Sequence, residues 1–127
     1  MIFHESNLAG VFEINVDKKH DERGFFARTW CSNEFAEHGL NPKLVQCSLS
    51  FNARKGTLRG VHYQAAPHAE AKLVRCTRGS IFDVALDLRP ASATYLRWND
   101  PAFEIAWPGK VEVISERDQT YPDFVPL

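Results

Sequence analysis

The sequence has no long apolar run, no excess of either charge, and no clustered cysteine or histidine. No stretch approaches the roughly 20 consecutive apolar residues of a membrane span. The chain carries 15 Lys and Arg against 16 Asp and Glu, a formal net charge of −1. A general nucleic-acid binder needs a basic excess to displace counterions, so that class is excluded. A polybasic membrane surface and an acidic tail are excluded on the same balance. Cys31, Cys47 and Cys76 are far apart and form no Cys-x-x-Cys. Neither a disulfide framework nor a structural zinc site follows, and buried reduced thiols are expected. His4, His20, His38, His62 and His68 include no helical i, i+4 pair and no His-x-His, so no metal is expected. Met1-Ile2-Phe3-His4-Glu5 lacks the basic-then-apolar layout of a signal peptide, and the expectation is a soluble cytoplasmic protein.

What is present is a strand-rich pattern in 127 residues, the size of one domain, with a hydrophobic fraction of 44%. Turn signals recur at Asp21-Glu22-Arg23-Gly24, Asn41-Pro42, Asn52 to Gly56, Arg78-Gly79-Ser80, Arg89-Pro90 and Pro108-Gly109. Apolar stretches of strand length lie between them, which is the habit of a β-sandwich or barrel. Phe82, Val84, Leu86 and Leu88 alternate with Asp83, Ala85, Asp87 and Arg89, which predicts a strand over 80–89. Residues 71–77 precede it through Arg78-Gly79, a predicted hairpin with glycine at positive φ. Val45, Cys47, Leu49 and Phe51 alternate with Gln46, Ser48 and Ser50, and that polar face either meets solvent or lines a cavity. Further strands are expected at 103–107 and around Val111 and Val113. One short helix is predicted over about 33–38, with Ser32 as cap, Glu34 at its positive end and Gly39 closing it.

The densest polar cluster is Thr57-Leu58-Arg59-Gly60-Val61-His62-Tyr63-Gln64. A histidine there could shuttle protons near neutral pH, or could simply be hydrogen-bonded in a strand. Strict alternation puts Arg59 and His62 on opposite faces, so they share a pocket only if Gly60 bends or bulges the strand. Lys72 could bind phosphate or stabilise an enolate oxygen, or could be a solvated surface lysine. Arg23, followed by Phe25 and Phe26, suits a phosphate and a base ring, and equally suits a turn before core residues. Asp100 in Trp98-Asn99-Asp100-Pro101 could orient a histidine, or make a turn before proline.

Four of these segments occur together in one order: Asp21-Glu22-Arg23-Gly24-Phe25-Phe26, Leu58-Arg59-Gly60-Val61-His62-Tyr63-Gln64, Lys72 to Gly79, and Phe82 to Arg89. In that order and spacing the chain resembles the dTDP-4-dehydrorhamnose 3,5-epimerase family. The resemblance runs from Met1 to about Trp98 and resumes through Trp98-Asn99-Asp100-Pro101 and Ile105-Ala106-Trp107-Pro108. It implies an all-β, cupin-type jelly-roll and a homodimer. It also implies chemistry without metal or cofactor, on a thymidine-diphosphate 4-keto-6-deoxyhexose. Carbons 3 and 5 flank the ketone, so a base can remove each proton to give an enolate, and an acid can return it on the other face. By resemblance, His62 is the base, Asp100 the carboxylate that pairs with it, and Lys72 the lysine near the ketone. Arg23 and Arg59 are the arginines that contact the nucleotide and its diphosphate. Gln46 is then a pocket-wall residue.

The sequence departs from the family in three places. Arg28 stands where the family often has glutamate, and Gln46-Cys47-Ser48 replaces its Gln-x-Asn. The larger departure follows Ala93-Thr94-Tyr95-Leu96-Arg97-Trp98. Family members continue there with several strands, a Pro-x-Gly-Phe-x-His-Gly motif and the catalytic tyrosine, whereas here the Trp-x-Asp-Pro motif follows at once. Tyr63, Tyr95 and Tyr121 match other positions. The expectation is one epimerase-like domain over 1–127 with a deletion junction near 97–99, several strands short. Its chemistry is then impaired, or it is a non-catalytic remnant or nucleotide-sugar binding module. Lost strands leave unpaired edges and uncovered apolar faces.

Overall fold

The computed structural model describes residues 1–62, 64, 66–86, 99 and 104–120. The chain divides into two compact units, Met1–Ser48 and Leu49–Leu127.

The first unit begins with an antiparallel pair, β1 (Ile2–Glu5) and β2 (Phe12–Asn15), in which Phe3 stands opposite Ile14 and Glu5 opposite Phe12. Period-2 alternation therefore puts Phe3, Phe12 and Ile14 on one face. That face meets α1 (Ser32–Glu37): Phe3 packs edge-on against Phe35 with ring centroids 5.6 Å apart, and stacks on His38 at 3.9 Å. Trp30 adds a tilted contact to Phe35 at 6.2 Å, and Phe35 is buried. His38 Nδ1 lies 2.7 Å from the carbonyl of Glu34, an oxygen that can only accept, so Nδ1 carries the proton. His38, the C-cap of α1, is thus an exposed histidine satisfied by its own helix's backbone.

The predicted helix forms, shifted by one residue. Its N-cap is Cys31, extended at φ −155°, with no side-chain cap bond, and Ser32 is already inside the helix. Glu34 serves the first turn by accepting from the Met1 ammonium and from Arg28, each at 2.6 Å. These two cations, the ammonium first, hold its carboxyl down at about 2. At the other end Gly39 adopts φ +70°, and its N–H and that of Leu40 bond to the carbonyls of Ala36 and Phe35. This is the Schellman ending that glycine permits.

A second antiparallel pair, β3 (Lys19–Asp21) and β4 (Gly24–Phe26), is joined by Glu22-Arg23. The Asp21 carboxylate accepts from the Arg23 backbone N–H at 2.9 Å and from its guanidinium at 3.3 and 2.5 Å. An aspartate that closes its own turn in this way is why Asp21 opens the segment. Gly24 at φ +133° lets the chain turn back.

In the second unit an isolated bridge among the described residues pairs Thr57 with Val113 in parallel. The Leu58 N–H donates to Val113 at 2.8 Å, and Glu112 and Val113 donate to the Gly56 carbonyl. Leu58 is buried there. Gly56 has φ +74°, and a Cβ on it would sit 2.7 Å from Glu112 Cγ, so glycine is required by both backbone and space. Beyond the bridge lies α2 (Glu116–Gln119), a single turn capped by Ser115.

Several strands predicted from alternation are not paired. Among the described residues, 44–51, 71–77, 80–86 and 104–107 join no ladder. Gly79 has the positive φ expected of a turn, +85°, but the flanking segments do not form a hairpin. Alternation fixes which side chains share a face, whereas a ladder needs a neighbouring strand. Without one, the apolar faces stay open: Val45, Leu49 and Phe51 are 78%, 85% and 81% exposed. Cys47 and Cys76, expected inside, are exposed for the same reason, and Cys31 is half-buried. The junction near 97–99, apart from Asn99, lies outside the described residues, as do Asp100, residues 87–89, Phe103 and the proline-rich tail. Among the described residues no helix is long and apolar enough to cross a membrane.

Candidate functional site

The site is assembled by the Thr57–Val113 bridge. The bridge brings 56–58 beside 112–113, and each segment then runs on for a few residues. One continues through Arg59 and Gly60 to His62. The other turns at Ser115 into α2, whose third residue is Asp118. His62 Nε2 and Asp118 Oδ1 meet at 2.8 Å across 56 residues of sequence.

Asp118 is 4% exposed, the one buried charged side chain among the described residues. Its second oxygen accepts from the Gly60 N–H at 3.4 Å, and its own N–H donates to Ser115 Oγ at 3.1 Å. Burial pushes its carboxyl up, and this is the largest single influence. The bonds from His62, from the Gly60 N–H and from Ser115 together outweigh it, leaving the group below the usual carboxylate range. Asp118 is therefore ionised at neutral pH. An ionised carboxylate has only acceptors, so the proton between it and His62 resides on Nε2. The lone pair of the neutral ring is then on Nδ1, and His62, 44% exposed, remains within reach of a substrate.

Lys72 reaches the backbone of His62 rather than its ring. Its Nζ lies 3.5 Å from the His62 carbonyl and 3.1 Å from Glu70 Oε1. Gly60, at φ +135°, breaks the strand-like run between Arg59 and His62, as a bend there requires. Arg59 takes other partners: its Nε donates to Asn52 Oδ1 at 2.7 Å and its Nη2 to the Phe51 carbonyl at 3.3 Å. Arg23 and Gln46 belong to the first unit. Arg23 is exposed and held by Asp21. Gln46 Nε2 reaches Ser48 Oγ at 3.4 Å, on the polar face opposite the exposed apolar one.

Of the residues proposed from sequence, the structure brings together His62 and Lys72. Asp100, assigned the carboxylate role, lies outside the described residues. The carboxylate on His62 in this structure is Asp118, which the sequence analysis did not identify. A signal was available. Ser115-Glu116-Arg117-Asp118 begins with a capping serine directly after Val113 and Ile114, and such a turn tucks its third residue back toward the preceding segment.

Comparison with known proteins gives consistent results. The family described as dTDP-4-dehydrorhamnose 3,5-epimerase matches residues 5–98. A protein named dTDP-4-dehydrorhamnose 3,5-epimerase from Sinorhizobium fredii is 43% identical over 98 residues, covering 77% of this chain and 50% of the relative. One of the same name from Methanothermobacter thermautotrophicus is 44% identical over 96 residues, covering 76% and 51%. A dTDP-4-dehydrorhamnose 3-epimerase from Streptomyces niveus is 41% identical over 92 residues, covering 72% and 44%. The chain thus spans about half the length of the curated relatives it matches. No solved structure matches it. Asp118 lies beyond the matched span, whereas His62, Lys72, Arg59, Arg23 and Gln46 lie within it. On this match the chain belongs to the dTDP-4-dehydrorhamnose 3,5-epimerase family, as an incomplete example of its all-β, cupin-type jelly-roll class.

Proposed function

We propose that this chain carries the proton-abstracting half of an epimerase acting at carbons 3 and 5 of a dTDP-4-keto-6-deoxyhexose, in dTDP-rhamnose-type nucleotide-sugar biosynthesis. The observation that carries this is the 2.8 Å pair of His62 Nε2 with the buried, ionised Asp118. Asp118 fixes the ring so that Nδ1 is the base, and stabilises the positive charge that appears on the ring when it takes a proton. Lys72, whose Nζ lies 3.5 Å from the His62 backbone carbonyl, would offer its cation to the oxygen of the developing enolate. Arg59 and Arg23 would contact the diphosphate and nucleotide, and Gln46 the pocket wall. Asp118 takes the role assigned to Asp100 from sequence. No cofactor enters this chemistry.

The acid that would return the proton on the opposite face is the family's tyrosine. In this proposal it is lost with the block absent at the junction near 97–99, from what is otherwise one epimerase-like domain. A base without that acid exchanges protons on one face. Incubating the purified chain with the keto-sugar in deuterated water should therefore wash deuterium into carbon 3 or 5 with little net epimer. Rapid complete epimerisation would refute the proposed impairment, and no wash-in at all would refute the retained base. The alternative, a non-catalytic nucleotide-sugar binding module, draws on the chain's half-length match to its relatives. Calorimetry showing tight thymidine-diphosphate binding without wash-in would favour it. The exposed apolar faces of the strand-like segments support a homodimer, and a cytoplasmic location belongs to the same proposal.

A further inference from the structure

A four-residue helical turn does not hold itself, because nucleation costs more than one turn returns. α2 is such a turn, and it carries Asp118. Upstream, Glu112 and Val113 are tied to 56–58 through backbone bonds. Downstream, the turn closes through Gln119 N–H on Ser115 O at 3.2 Å and Thr120 N–H on Arg117 O at 3.3 Å. Between the two lies Ser115, extended at φ −71° and ψ 151°, with its hydroxyl accepting from the Asp118 N–H at 3.1 Å. It is the joint between the fixed bridge and the turn.

We propose that Ser115 is a positioning residue for His62, acting through Asp118. Its hydroxyl sets the turn so that one carboxylate meets His62 Nε2 at 2.8 Å and the Gly60 N–H at 3.4 Å together. Ser115 also contributes to holding the Asp118 carboxyl below its ordinary value against the effect of burial, and so keeps it an acceptor. The inference deepens the assignment of His62 as base and rests on it only for the catalytic consequence. The positional claim concerns the substrate-free protein.

The test labels histidine with nitrogen-15 and reads the His62 ring nitrogens at neutral pH. The parent should show Nε2–H as the single neutral tautomer. Ser115→Ala should mix the tautomers and lower the deuterium wash-in rate about five-fold, the size of a lost helix cap, with KM unchanged. Ser115→Thr should restore both. Ser115→Gly keeps the turn nearly as stable while removing the hydroxyl, so it separates positioning from folding. A parental ring spectrum in Ser115→Gly or Ser115→Ala overturns the proposal, and so does a failure of Ser115→Thr to restore it. A parent chain that shows the single tautomer but no wash-in refutes the epimerase assignment, while the ring spectra still decide the role of Ser115.

Discussion

Replacing Asp118 by asparagine keeps the shape of the side chain and removes its charge. In the parent, Oδ1 accepts from His62 Nε2 at 2.8 Å. At that separation two unit charges attract by about 1.5 kcal/mol at a dielectric of 80 and about 6 kcal/mol at 20. Asp118 is buried but His62 is 44% exposed, so a value between the two applies, about 3 kcal/mol at a dielectric of 40. The asparagine oxygen still accepts a neutral hydrogen bond, which recovers roughly 0.5–1.5 kcal/mol. The net loss falls on the state in which the ring has taken a proton, and about 1.5–2.5 kcal/mol is expected. That corresponds to a fall of about 10- to 70-fold in the rate of proton abstraction. The assay is deuterium wash-in at carbons 3 and 5 of the keto-sugar, with Asp118→Asn and Asp100→Asn measured side by side. Asp118→Asn should show the drop and Asp100→Asn should stay within a few-fold of the parent. The reverse pattern would refute the reasoning and return the carboxylate role to the residue picked from sequence.

Three other outcomes are expected. Asn52→Ala removes the acceptor that holds Arg59 Nε at 2.7 Å, so thymidine-diphosphate affinity measured by calorimetry should weaken several-fold, about 1 kcal/mol for one lost bond to a charged group, while Asn52→Asp should keep it. Gly56→Ala forces a Cβ to within 2.7 Å of Glu112 Cγ at a φ of +74°, and denaturant titration should show a loss of about 1–3 kcal/mol. The carboxyl of Glu34 is depressed from 4.5 to about 2 in the folded chain, so its contribution is complete above pH 4.5 and is lost as pH falls from there toward 2. Acid titration followed by Trp30 fluorescence should show that loss in the parent and not in Glu34→Gln.

The sequence was most informative where chemistry is local. α1 and its glycine ending were readable because a cap, an acidic first turn and Gly39 lie within eight residues. The cap was misplaced by one residue because Cys31, not Ser32, takes the extended conformation. Glycine at positive φ was readable at Gly79, and Gly60 was named as the place where a bend would have to fall, since glycine adopts such backbone at least cost. Pairing was not readable. The segments with the clearest alternation, 44–51 and 80–86, are unpaired, while the strands that do pair, β1 to β4, run only three or four residues, too short for periodicity to register. The site divides in the same way. His62, Lys72 and Arg59 are conspicuous within two neighbouring motifs. Asp118 sits 56 residues from its partner, and only the Thr57–Val113 bridge reveals that the two ends meet.

The open run from Leu44 to Phe51 has a consequence for the life of the molecule in a cell. Proteases bind substrates as extended backbone with side chains alternating into pockets, and chaperones select the same form. Residues 44–51 join no helix or strand among the described residues and leave Leu49 and Phe51 outward, open to being drawn into that form. Degradation of such a chain does not wait for global unfolding, because the run is already exposed and outside regular structure. Limited proteolysis should therefore cut first near Leu49 or Phe51. Abundance would be governed by how quickly another surface covers this run, so lifetime should rise with the chain's own concentration.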